Sequence, residues 1–322
     1  MTKIKTARVS AKHKTTIGGQ AIIEGVMMRG PEKIAIAVRK PDSEIELKVE
    51  PVKSLSKKNK FFSLPFVRGM IGLIDALKIG TSALLYSAEF FEDEEPPKDK
   101  DGNPKKSLTE KLFKEKAQEV EMTLAVILSL TLTIAIFMVL PNIITGFTKR
   151  WVTNTVGLNL VEGIVRILIF LIYVIWISKL EDIKRVFQYH GAEHKSIHCY
   201  ENEMPLTVEN VKKFPILHAR CGTSFLFMVM IVSILVLSFF GWPNPVVRIL
   251  TRIMMFPVIA GISYEINRAI GRSDSRLCYA LSYPGLMIQK LATVREPDDS
   301  QIEVAIKSLL AVIPDDREAD LW

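Results

Sequence analysis

The stretches Met122–Leu140 and Ser224–Val247 contain no charged residue. A helix that crosses a bilayer needs roughly 20 mostly apolar residues, and a soluble core helix seldom keeps such a run. Two further runs follow the same logic. Gly163–Ser178 is apolar except for Arg166, and Ile253–Tyr264 reaches spanning length only with Val246–Leu250 and Arg252. Spans are therefore expected at about 122–146, 157–179, 223–241 and 245–267. The expected fold class is mainly α: a polytopic helical membrane protein of about four spans, with a small N-terminal β-hairpin region. Apolar residues make up 48% of the chain, which a soluble protein could approach. Their clustering decides.

The remaining chain divides around those spans. Residues 1–64 are expected to form a cytoplasmic N-terminal region. Within it Ile34–Lys40, an apolar run ending in two basic residues, and Glu44–Glu50, which alternates apolar and polar residues, flank the turn-forming Pro41-Asp42-Ser43, the mark of a hairpin. Residues 65–91 are apolar but interrupted by Arg68, Asp75 and Lys78; they read as an amphipathic helix at the membrane surface, with a fifth span as the alternative. Residues 92–121 read as a charged linker, 122–270 as the membrane domain with a hydrophilic segment at 180–222, and 271–322 as a cytoplasmic tail. In that tail Ile302–Ile313 has helical spacing, and Arg295–Asp299 reads as its N-terminal cap.

Met1–Lys14 is basic but leads into no apolar stretch, so it is not read as a signal peptide. The three cysteines, Cys199, Cys221 and Cys278, argue against a disulfide framework. A net charge of +7 fits basic cytoplasmic loops better than nucleic-acid binding. Lys179, Lys184, Arg185, Lys195, Lys212, Lys213 and Arg220 lie between the second and third spans, and Arg268, Arg272 and Arg276 begin the tail. Lys149, Arg150 and Arg248 are all that the other side holds. Both termini and the 180–222 segment are therefore expected in the cytoplasm of a bacterial cell, with the protein multi-pass in its membrane.

Four of the five histidines, His190, His194, His198 and His218, fall in that segment, together with Cys199 and Cys221. Residues three and four apart share a helix face, so His190, Glu193, His194 and His198 would form one stripe. His190-x-x-Glu193-His194 matches the H-x-x-E-H pattern, in which two histidines bind zinc and the glutamate is the base. His218 and Cys221 could complete the shell from a second element, and nitrogen with thiolate suits zinc or another late first-row metal. The expected metal set is His190, His194, His198, His218 and Cys221, with Glu193 catalytic. The bland alternative is histidines packed at a membrane interface. Arg220, between the last two donors, and Glu265, near the cytoplasmic end of the fourth span, are further candidates. Glu162 and Arg166, one turn apart, are expected to pair, and Arg248 and Arg252 to snorkel to the outer interface.

Gly18–Pro31 (GGQAIIEGVMMRGP), Tyr189–Glu201 (YHGAEHKSIHCYE), His218–Leu226 (HARCGTSFL) and Thr293–Ile306 (TVREPDDSQIEVAI) resemble the YqhQ family of bacterial membrane proteins, described as predicted metal-dependent enzymes. The resemblance implies a metal, a membrane location and a bacterial source, and names no substrate. It also raises the weight of Gln20, Glu24 and Arg29, which otherwise read as loop residues.

Three functional readings follow. The first is a metal-dependent, hydrolase-like enzyme at the cytoplasmic membrane face. The second is a scaffold with a closed structural zinc site, and the third an ion or solute transporter. The expected partners are the bilayer and an unidentified substrate, with a second copy of the chain as an option and no nucleic acid. The orientation has a direct test. Reporter fusions after Asn210 and after Pro243 are expected to report opposite compartments, and an external signal from the first would overturn it.

Overall fold

The computed structural model describes residues 11–53, 60–91, 117–273 and 275–322. The Lys-rich start and most of the linker read at 92–121 lie outside them. The chain first forms a four-stranded antiparallel meander: β1 (Gly18–Ile22), β2 (Gly25–Arg29), β3 (Lys33–Arg39) and β4 (Ile45–Pro51). The expected hairpin is β3–β4, turned at Pro41-Asp42-Ser43 with Ser43 at φ 70°. Gly18–Arg29, whose two ends alone read as loop punctuation, is a second hairpin, reversed at Ile23-Glu24 with Glu24 at φ 47°.

The pattern concealed this hairpin because the sheet is buried on both faces. Val26, Met28, Ala35 and Ala37 face one way, while Met27, Ile34, Ile36 and Val38 face the other. Such strands read as continuous apolar runs without alternation. Gly25 is required by close approach, since a Cβ there would lie 2.3 Å from the Ala37 carbonyl oxygen.

The helices are α1 (Val67–Ala88), α2 (Ala117–Ile134), α3 (Leu140–Thr148), α4 (Thr155–Ile177), α5 (Glu181–Glu201), α6 (Val208–Lys212), α7 (Gly222–Ser238), α8 (Pro245–Arg272), α9 (Arg276–Ile288) and α10 (Asp299–Leu310). One face of the sheet packs on α5 and α10, the other on Ile79, Ala83 and Tyr86 of α1. Helix α10 begins at a capping box of Asp298 and Gln301, as the sequence pattern of that cluster anticipated. Helix α9 was not anticipated.

Four helical segments are long and apolar enough to cross a membrane: Val67–Phe91, Thr123–Thr148, Thr155–Ile177 and Pro245–Arg272. The number matches the expectation, but the membership differs. Helix α7, read as a span over 223–241, has 17 residues and ends at Ser238, before a reversal at Gly241 with φ 69°. Helix α1 has the length of a span, yet its second half is packed on the sheet. Its start rests on α8, with Gly69 against Tyr264 and Arg68 in a bidentate pair with Glu265 at 2.7 and 2.5 Å.

Helices α2 and α3 are joined by a π-helical turn, Ala135–Val139, and the Phe137 carbonyl there accepts from Arg166 Nε at 3.1 Å. Arg166 also donates to Glu162 at 2.7 Å, the pair expected from their spacing. Arg252 joins them on Glu162, and Arg248 bonds Asn142 and lies 3.8 Å from the Trp242 ring. Both arginines are buried, so the expected snorkelling is corrected. A carboxylate as buried as Glu162 needs cationic partners more than its neighbours need solvent.

The glycine at β2 gives a test of the sheet. Gly25→Ala forces β2 from β3 at a backbone contact, so a loss of roughly 1–3 kcal/mol is expected. It would register as a lower unfolding midpoint; an unchanged midpoint would contradict the contact.

Candidate metal centre

Helix α5 carries the site because its second half is enclosed. Tyr189 and Gly191–Glu201 are all buried, although the run contains His194, Lys195, His198 and two glutamates. Polar groups so enclosed must find partners or remain costly orphans. Lys195 reaches the Lys212 carbonyl at 3.0 Å and the Glu296 carboxylate at 2.5 Å.

His190 and His194 lie one turn apart, and Cys221, at the N-cap of α7, comes between them from the other side. The His190 Nδ1–H donates to the Thr293 carbonyl at 2.8 Å, and the His194 Nδ1–H to the Ile216 carbonyl at 2.6 Å. A ring fixed in this way presents Nε2 with its lone pair free, as second partners of metal-bound histidines do. His190 Nε2 stands 3.2 Å from Cys221 Sγ. His194 Nε2 is buried without a hydrogen-bond partner. The donor atoms of the three residues lie within 4.8 Å of one another. Two imidazoles and a thiol at this spacing could hold zinc, whose bonds to nitrogen and sulfur are about 2.0–2.3 Å long.

Glu193 lies in the same cleft. Its Oε1 accepts from the Gly19 N–H at 3.1 Å, and its Oε2 is buried without a partner. Burial pushes the Glu193 carboxyl up to about 7, against the opposing pull of His190. Burial likewise pushes His194 down to about 4, so the ring is neutral at physiological pH. The cleft has a volume of about 620 Å³ and is walled by β1, α1 and the first turn of α7.

His198 and His218 belong to a second cluster, around Glu201, whose donor atoms also lie within 4.8 Å of one another. His198 is two turns from His190 and is rotated by roughly 80° about the axis, so it turns away from Cys221. Its Nε2 is engaged by the Leu217 carbonyl at 3.0 Å. His218 Nε2 stands 3.6 Å from Glu201 Oε2, and its Nδ1 accepts from the Arg220 N–H at 3.3 Å. Glu201 Oε1 already accepts from the Arg220 guanidinium and from the Thr15 N–H. The five donors expected as one shell thus fall into two groups, and the second already holds a cation of its own.

The other candidates have distinct places. Glu24, at the β1–β2 turn, forms a bidentate pair with Arg185 and accepts from Tyr189 Oη at 3.2 Å, tying the sheet to α5. Gln20 packs on α1, where Gly80 leaves room for its amide. Arg29 lines a second lobe of the cleft, and its side chain makes no hydrogen bond or ion pair among the described residues. Arg220 serves Glu201, and Glu265 serves Arg68 rather than the histidines. Sequence reasoning missed the groups that orient the site: the Gly19 N–H and the carbonyls of Ile216 and Thr293. Backbone groups leave no residue-type signal. It also missed Gln289, buried, which exchanges two hydrogen bonds with the His218 backbone at 2.9 and 3.0 Å.

The Glu201–Arg220 pair joins the loop before α7 to α5, and the same carboxylate takes the Thr15 N–H of the N-terminal segment. Glu201→Gln leaves a buried guanidinium without its counter-charge, and a loss of about 3–5 kcal/mol is expected. A thermal or denaturant midpoint equal to that of the unaltered protein would show that the pair does not hold this corner.

Comparison with known proteins agrees with the motifs. A family model described as a protein of unknown function, DUF1385, matches residues 64–315. "Uncharacterized protein YqhQ" of Bacillus subtilis (strain 168) is 35% identical over 303 residues, covering 92% of this chain and 93% of that protein. No solved structure matches. On the extent of these two matches, the chain belongs to the DUF1385 family, the family of YqhQ.

Proposed function

We propose that this protein is a metal-dependent hydrolase of the bacterial cell membrane, working in the cleft between its sheet and its membrane helices on the cytoplasmic side. The observation that carries this reading is the buried, unpartnered Nε2 of His194, beside His190 and Cys221 and opposite a carboxylate with one free oxygen. His190, His194 and Cys221 would hold the ion. A divalent ion supplies Lewis acidity to water and substrate oxygen alike.

The chain's own residues account for the rest. Three protein donors facing a large cleft are the pattern of a catalytic site, whereas a structural zinc is closed by four. His198 and His218, which could have closed it, are engaged around Glu201. Glu193 is held by the Gly19 N–H and directs Oε2 to no protein partner. It would take the proton of the attacking water and return it to the leaving group, while the water's oxygen ends on the hydrolysed centre. The Thr293 and Ile216 carbonyls keep both imidazoles in the tautomer the site needs. The transporter reading has less support, because the charges of the bundle are drawn together around Glu162 and form no file of sites among the described residues.

Purified protein is expected to carry close to one equivalent of zinc or a similar ion, measured by elemental analysis. His190→Ala and His194→Ala should each remove most of it, and full retention in the double variant would sink the assignment. Glu193→Gln should keep the metal and the fold while failing to complement a deletion strain. Loss of metal in that variant would make Glu193 a ligand. Normal complementation with normal metal would return the structural-zinc reading.

A further inference from the structure

The cleft beside the histidines is one lobe of a larger space. The second lobe, of about 780 Å³, shares Thr16, Gly18, Gly19, Gln20, Gly222 and Phe225 with the first. Each lobe alone is the size of a small-molecule site, typically about 300–1,000 Å³. The two ends of this space differ in chemistry. At the deep end stand His190, His194, Cys221 and Glu193. In the second lobe Arg29 is partly exposed and has no ion-pair partner among the described residues, whereas Arg68 is neutralised by Glu265.

The mouth is apolar. Leu226, on the uncharged helix α7, lines the histidine lobe and is 48% exposed; Leu77, on α1, lines the same lobe and is 62% exposed. Ile74 and Leu85 continue the α1 stripe outward, and none of these side chains is covered by protein. Helix α1 thus has a face packed on sheet and cleft and an exposed face on which Ile74, Leu77 and Leu85 stand with Lys78 and Thr81 among them, apolar side chains with one cation. That is the arrangement of a helix lying in the membrane surface. A cleft whose rim is shared by such a helix and by an apolar helix of the bundle opens toward the acyl region.

We propose that the substrate is a membrane lipid with an anionic, phosphate-bearing headgroup. The headgroup enters the cleft and is met by Arg29, and the chains leave between α1 and α7 into the bilayer. This rests on the enzyme reading above for the word substrate, but the lipid site itself does not require the metal. An arginine with both edges free matches a phosphate by paired hydrogen bonds, which lysine cannot reproduce.

The test uses the full-length protein in nanodiscs of phosphatidylcholine containing phosphatidylglycerol with a photoreactive acyl chain. Adducts mapped by mass spectrometry are expected to be enriched at Leu77 and Leu226 over Leu128 and Ile172, which are exposed on the outside of α2 and α4. Arg29→Ala should lower the enrichment about tenfold, the effect of losing one charged hydrogen-bonding partner. Arg29→Lys should restore part of it, and neither should change labelling at Leu128. Equal labelling at mouth and bundle overturns the proposal, as does enrichment indifferent to Arg29. Enrichment abolished by millimolar inorganic phosphate would show a site for the free anion and overturn the lipid assignment. His194→Ala separates the two readings. Enrichment that survives with no metal bound in any variant leaves the lipid site standing and removes the enzyme. Metal retained by the unaltered protein without enrichment leaves the enzyme with a soluble substrate.

Discussion

The structure depends on the enclosure of a polar helix. From Tyr189 to Glu201, helix α5 is shut between the sheet, α10 and the loop before α7, and it carries histidines, glutamates and a lysine into that space. Each such group costs several kcal/mol if it is left without a partner in a low-dielectric interior. Lys195 and Glu201 are met by opposite charges, and His198 by a carbonyl. His194 Nε2 and Glu193 Oε2 are not met. Ser196 Oγ and Thr293 Oγ1 are also without partners, but a carboxylate oxygen and an imidazole nitrogen left facing a cleft give up more stability than a hydroxyl, and function is the usual reason.

The membrane bundle follows the same rule with another result. Glu162 lies at 1% exposure with Arg166 and Arg252 upon it, and Arg166 also takes the carbonyl freed at the π-helical turn of Ala135–Val139. Here a helix irregularity and a cation answer each other, and the network joins α4 to α8 and to the turn between α2 and α3. Such a network supports a fixed arrangement of helices. That rigidity bears on the candidate site too, since Cys221 sits at the start of α7, which packs in the same bundle.

Much of this was legible, and what was not has definite causes. The apolar runs located three of the four span-length segments, because lipid leaves no alternative to apolar length; the run at 223–241 gave the shorter α7, and α1, broken by charges, reads as amphipathic with a span as the alternative. The spacing of His190, Glu193 and His194 gave one face of α5 because helix geometry is local. The hairpin β1–β2 was lost because Val26, Met27 and Met28 are buried on both sides of the sheet, so period two never shows. His198 was grouped with His190 because a stripe drawn at i, i+4, i+8 ignores the drift of an α-helix against that repeat. Over two turns the drift is roughly 80°, enough to send one imidazole to Cys221 and the other to Leu217. The partners of Glu24, Arg220 and Glu265 are all distant along the chain, and no local pattern names Arg185, Glu201 or Arg68 for them.

Helix α1 shows how length and composition can mislead where packing decides. Its apolar content would suit a crossing helix, and a crossing helix inside a bundle would bury its small residues against other membrane helices. Here Gly80 faces the amide of Gln20, and Ala83 faces the core of the sheet. The second half of α1 packs on a sheet whose other face is covered by α5 and α10, while its start rests on α8 through Gly69 and Tyr264. Its Asp75 and Ser87 are buried toward protein, while Ile74, Leu77 and Leu85 are bare. Of the charges that break up its apolar run, Asp75 is turned inward and Arg68 is paired with Glu265, while Lys78 lies exposed beside Ile74 and Leu77, so packing and not composition decides which side of the helix is covered.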